Sequence, residues 1–140
     1  MHFRVKKQHT LKKQLVVDVK TKKVLCVAIG KGKEHDFALL KSSETRFGKA
    51  VKVNADKGYQ GLKKLHLNSE LPHKKPKGGK LTVEQKRENR LFARERIVVE
   101  HVNRRFKVFR ILGERYRNRR KRYGLRVNLI AGIYNLDNTE

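Results

Sequence analysis

The sequence predicts an α/β domain, and three patterns lead there. Leu11–Val19 (LKKQLVVDV) and Val24–Ile29 are rich in β-branched residues and are separated by the polar Thr21-Lys22-Lys23, which reads as an antiparallel hairpin. The apolar run Ala50–Ala55 stops at the glycines of Asp56-Lys-Gly-Tyr-Gln-Gly61, as a strand running into a tight turn does. Beyond residue 82, Leu91, Val98, Val102, Phe106 and Phe109 recur with roughly helical period. A chain of 140 residues accommodates one core, so residues 1–140 read as a single domain.

The remaining elements follow in order. Gly30 ends the second strand, and Asp36 reads as the N-cap of a short helix over Phe37–Leu40. Leu62–Leu67 reads as another short helix. Leu71–Gly79 holds both prolines and two glycines, so it is extended or loop. Thr82, three residues ahead of Gln85, forms a capping box that opens the long helix, and Gly113 closes it. Leu125–Leu136 reads as the last helix, although Gly132 and its β-branched residues weaken it. Cys26, the single cysteine, lies mid-strand and reads as a buried, inert thiol; an internal disulfide and a cysteine-based zinc cluster are excluded.

Charge sets the class of partner. Thirty-seven Lys and Arg against 13 Asp and Glu give a net charge of +24. Such a surface is neutralised by nucleic acid, whose phosphates bind Lys and Arg with release of counterions. Arg96, Arg104 and Lys107 share one helix face with Glu100. Arg115, Arg117, Arg119, Arg120, Lys121 and Arg122 form the densest basic run, and all nine read as DNA-binding residues. No stretch is apolar enough for a bilayer and no secretory h-region follows the N-terminus, so the expected place is the cytoplasm, on the nucleoid. On charge alone, a non-catalytic basic nucleic-acid-binding protein, ribosomal or nucleoid, is the favoured explanation of the chain.

Two acids stand out against that background. Asp56 is placed at the strand end and Glu100, 44 residues later, inside a helix full of arginine. Two-metal phosphodiester chemistry requires carboxylates that hold divalent ions, roughly 4 Å apart, against attacking and leaving oxygens. Magnesium takes oxygen ligands and keeps several waters, so two or three acids suffice without a His or Cys cage. Each acid also has a plainer explanation. Glu100 has the spacing for an i,i+4 ion pair with Arg96 or Arg104, and Asp56 is an ordinary turn aspartate.

The flanking residues weigh against the plain explanation. Ala55-Asp-Lys-Gly-Tyr-Gln-Gly61, Lys74-Lys-Pro-Lys-Gly78 with Leu81-Thr82, Val98-Val-Glu-His101, Phe109-Arg-Ile-Leu112, Tyr116-Arg-Asn-Arg-Arg120 and Asn128–Asn135 occur in order along the chain. Together they resemble the catalytic domain of bacterial insertion-sequence DDE transposases. The resemblance implies a ribonuclease-H-like mixed sheet flanked by helices, with Asp56 as the second and Glu100 as the third catalytic, metal-binding acid. It further implies Mg²⁺ (or Mn²⁺) as cofactor, cleavage and strand transfer at insertion-sequence ends, and partners that are DNA ends, target DNA and further copies of the chain. His35-Asp36 matches a structural position of the family. The first family acid precedes the segment that here reads His9–Asp18, so its strand and the DNA-recognition region are expected to be missing. That pattern fits a decayed remnant or a second reading frame joined by frameshifting. Asp18 is the one substitute for the first acid that the sequence offers.

Overall fold

The computed structural model describes residues 11–113 and 120–138. The hairpin forms as expected: β1 (Leu11–Val17) pairs antiparallel with β2 (Val24–Lys31), Leu11 opposite Lys31, with an irregularity between Val16 and Val17. The turn is held by Asp18. Its carboxylate accepts the Lys20 amide at 3.0 Å and the Thr21 hydroxyl at 2.7 Å, an Asx-type closure. The Thr21 hydroxyl, and then the Lys20 amide, keep this carboxyl below its ordinary value. Asp18 is thus committed to the turn after β1, which corrects its placement within a strand.

Helix α1 (Asp36–Ser42) begins one residue earlier than expected. Asp36 is its first residue and not its cap; the carboxylate pairs with Lys12 of β1 at 2.6 Å. The strand expected over Ala50–Ala55 shrinks to β3 (Val53–Asn54), which pairs in parallel with an unforeseen β4 (Ser69–Glu70). Alternation was too short to fix the span: Val51 is half exposed, while His66 takes its carbonyl in a 2.6 Å contact. Helix α2 (Leu62–Leu65) lies between the two strands in sequence. The 71–79 segment has no regular structure, as its prolines dictate. The described residues therefore form two two-stranded sheets, and the α/β class holds.

The Thr82–Gln85 capping box is present and opens α3 (Val83–Val108), followed after a break at Phe109 by α4 (Arg110–Gly113). A 3₁₀ turn over Arg120–Arg122 leads into α5 (Tyr123–Asp137). Of the expected apolar stripe, Val102 and Phe106 are buried, whereas Leu91 and Phe109 are exposed. The core joins these two to Val24, Tyr123, Val127, Ile130, Ala131 and Tyr134. The Asn135 amide ties α5 to the hairpin by bonding both backbone groups of Val24, each at 2.8 Å. Cys26 is half-buried, with its Sγ 3.7 Å from the Thr45 hydroxyl, and not enclosed as expected. No helix among the described residues is long and apolar enough to cross a membrane.

Candidate active site

The segment Asp56–Gly61 is shaped by its glycines. Gly61 has φ +98°, and a Cβ there would lie 3.1 Å from the Phe37 ring. At Gly58 a Cβ would meet the Asp36 carboxylate at 2.7 Å, so the start of α1 packs directly on this turn. Bulkier residues at either place would push the turn away from α1 and displace Asp56 with it. Asp56 itself accepts the Lys57 amide at 2.7 Å, and its carbonyl accepts the Tyr59 amide at 3.0 Å. The turn-aspartate geometry weighed from sequence is therefore present, and it fixes the carboxylate at the end of the β3 segment.

From the other side, α3 brings Glu100 to the same place. Arg96 Nε contacts Glu100 at 3.0 Å, and Arg96 Nη1 lies 3.6 Å from the Asp56 carboxylate. The i,i+4 ion pair weighed for Glu100 is real, but the guanidinium does not serve it alone. One cation spans two acids far apart in sequence. A second tie holds the same junction, since the Asn54 amide donates to Glu95 across β3 and α3. Sequence spacing gave no sign of that bond, because Asn54 and Glu95 gain meaning only once strand and helix meet.

The donor set suits a hard divalent cation. Asp56 and Glu100 offer carboxylate oxygens, and their side chains are 47% and 60% exposed, open to an ion that keeps several waters. Exposed ion pairs are worth roughly 0–1 kcal/mol, so Arg96 holds these acids weakly. Among the described residues no group of three or more His, Cys, Asp or Glu is placed to bind a metal. Among the described residues the site therefore has two acids.

Tyr59 follows Asp56 in the same turn. Burial pushes its hydroxyl up to about 12, and the Asp36 and Asp56 carboxylates act in the same direction. The folded chain keeps a proton that the unfolded chain releases near 10.0, so this contribution is complete below pH 10 and declines as the pH climbs toward 12. The expected outcome is a fall in the urea midpoint across that window that Tyr59→Phe makes shallower. Parallel curves for both proteins would show that the folded chain does not hold the Tyr59 proton.

The basic residues divide. Arg96 is turned onto the acids. Arg104 and Lys107 continue its helix face and are exposed, as are Lys121 and Arg122. Arg115, Arg117, Arg119 and the Arg120 side chain lie outside the described residues.

A model of the DDE superfamily endonuclease family matches residues 1–135. A probable transposase for insertion sequence element IS702 from Microchaete diplosiphon is 59% identical over 130 residues, which cover 93% of this chain and 47% of that protein. The chain thus spans about half the length of the curated relative it matches. No solved structure matches it. With the family match running through both acids, their turn and their helix, the chain belongs to the DDE superfamily endonucleases.

Proposed function

We propose that the chain supplies the second and third acids of an insertion-sequence transposase that cuts and joins DNA. The observation that carries this reading is the convergence of Asp56 and Glu100 on the single guanidinium of Arg96. In this reading the two acids hold Mg²⁺ (or Mn²⁺), and Arg96 is the cation they hold beforehand. When bound, two such ions activate the attacking oxygen and stabilise the leaving oxygen of a phosphodiester. The chain's own residues do the rest. Asp56 is fixed by its turn, Glu100 by α3, and the displaced Arg96 becomes available to a phosphate beside Arg104 and Lys107. The exposed basic residues draw the DNA backbone in.

The first acid then comes from outside the described residues. Support lies in β1, which among the described residues pairs on one side only. Lys13 Nζ and Gln14 Oε1 on that strand are buried with no hydrogen-bond partner among the described residues, and burial, then Lys107, lowers the Lys13 ammonium from its usual value. A further strand along this edge would pair the β1 backbone and complete a ribonuclease-H-like sheet, and a carboxylate on it would pair with the Lys13 ammonium. The open edge also suits self-association.

Manganese binding by electron paramagnetic resonance tests the pair. Asp56→Asn and Glu100→Gln should each weaken Mn²⁺ binding about tenfold or more, while Arg96→Gln strengthens it by removing the competing cation. Affinities indifferent to all three changes would leave the acids as ordinary ion-pair partners. The chain would then be the basic nucleic-acid binder that its charge alone suggests.

A further inference from the structure

Beside the carboxylates runs a groove of about 930 Å³ between β3, β4, the 71–74 segment and α3. Asn54 and Glu95 line it, two residues before Asp56 and one before Arg96 in the chain. Leu71, Pro72, Leu91 and Phe92 contribute apolar surface, Phe92 half-buried and Leu91 55% exposed. Three acids also line it, and each already has a partner. Glu70 pairs with Lys52 at 2.9 Å, Glu88 with His73, and Glu95 with the Asn54 amide. Lys63, Lys74 and Arg94, all exposed, have no acidic partner among the described residues. With Glu70 neutralised by Lys52 and Glu88 and Glu95 engaged by His73 and the Asn54 amide, the groove presents an aromatic and aliphatic floor under a rim of free cations.

The groove is held open by the 71–79 segment, which is tied to α3 through Asn89. Its amide bonds the His73 backbone N–H at 2.9 Å and the carbonyl at 3.2 Å, and the His73–Glu88 contact reinforces it. These bonds fix the wall without filling the space. The volume is in the range of small-ligand sites, roughly 300–1,000 Å³, which suits a nucleotide unit and not a duplex.

We propose that this groove binds single-stranded DNA, with an unpaired base on Phe92 and the backbone along Lys63, Lys74 and Arg94. Duplex DNA offers phosphates but keeps its base faces stacked, so it makes no use of an apolar floor. An unpaired strand offers both, and stacking on an aromatic side chain is tolerant of sequence. The inference deepens the reading above, since it names what sits next to the carboxylates during strand processing.

The test is fluorescence anisotropy with the whole chain, in EDTA, using an oligothymidylate of about ten nucleotides and a duplex of random sequence. EDTA keeps the result independent of whether the acids hold a metal; the manganese titration reports on that separately. Phe92→Ala should weaken oligothymidylate binding by roughly tenfold and leave the duplex unchanged, with Phe92→Tyr restoring the oligothymidylate. Equal loss on both probes, or none on the oligothymidylate, overturns the proposal. Should circular dichroism show Phe92→Ala unfolded, Lys63→Ala with Lys74→Ala decides. Two lost phosphate contacts should reduce the oligothymidylate salt slope by about 1.4, and an unchanged slope sinks the idea.

Discussion

Divalent-ion-dependent nicking of a supercoiled plasmid should fall by about a hundredfold or more in Asp56→Asn, and equally in Glu100→Gln. The protein to use is this chain joined to the segment that supplies the first acid. Losing one carboxylate leaves an ion loosely placed, and a misplacement on the order of 1 Å in the reacting groups costs about a hundredfold in rate. Asp18→Asn should leave nicking unchanged, because that carboxylate closes the turn with Lys20 and Thr21. Full activity in either Asp56→Asn or Glu100→Gln would remove that residue from the chemistry. Lost activity in Asp18→Asn with the fold intact would show that the turn aspartate reaches the site after all.

The largest expected effect on stability is at Phe106. Its side chain is fully buried, packed near Tyr134 with ring centroids 5.6 Å apart, under the Lys13 ammonium at 5.3 Å. Phe→Ala in such a core costs about 3–5 kcal/mol, from the lost transfer free energy and the cavity left behind. Domains of this size are stable by roughly 5–15 kcal/mol, so Phe106→Ala should leave much of the population unfolded at modest urea. Phe109, three residues along and 39% exposed, is the control: its alanine variant should lose far less. Urea unfolding followed by circular dichroism separates them. Equal losses at the two positions would mean that α3 does not pack on α5 as described.

Much of this arrangement was legible from local chemistry. The hairpin, the capping box and the long helix rest on patterns in adjacent residues, and each formed within a few positions of its expected bounds. The placement of Asp56 in a turn and of Glu100 on the long helix was readable, the first from apolar residues giving way to glycine, the second from an acid amid arginines. What escaped were features made by tertiary contact. Asp36 gives up capping because Lys12 on the neighbouring strand offers its ammonium at 2.6 Å. β4 is two residues long, and Ser69-Glu70 carries no strand signal until β3 lies alongside. Arg96 read as a DNA-binding residue on its helix face, but a helical wheel cannot show that the 56–61 turn comes within its reach. The groove was hidden for the same reason. Phe92 and Lys63 are unremarkable in sequence and become neighbours only through the fold.

The pairing of Asp56 with Glu100 as one metal site is tested most directly by replacing Mg²⁺ with Fe²⁺ and mapping where the radicals it generates cut the backbone. Cuts clustered near residue 56 and near residue 100 in the same molecule, both suppressed by excess Mg²⁺ and both lost in Asp56→Asn, are the expected result. Cuts near only one of the two, or a pattern indifferent to Asp56→Asn, would contradict it.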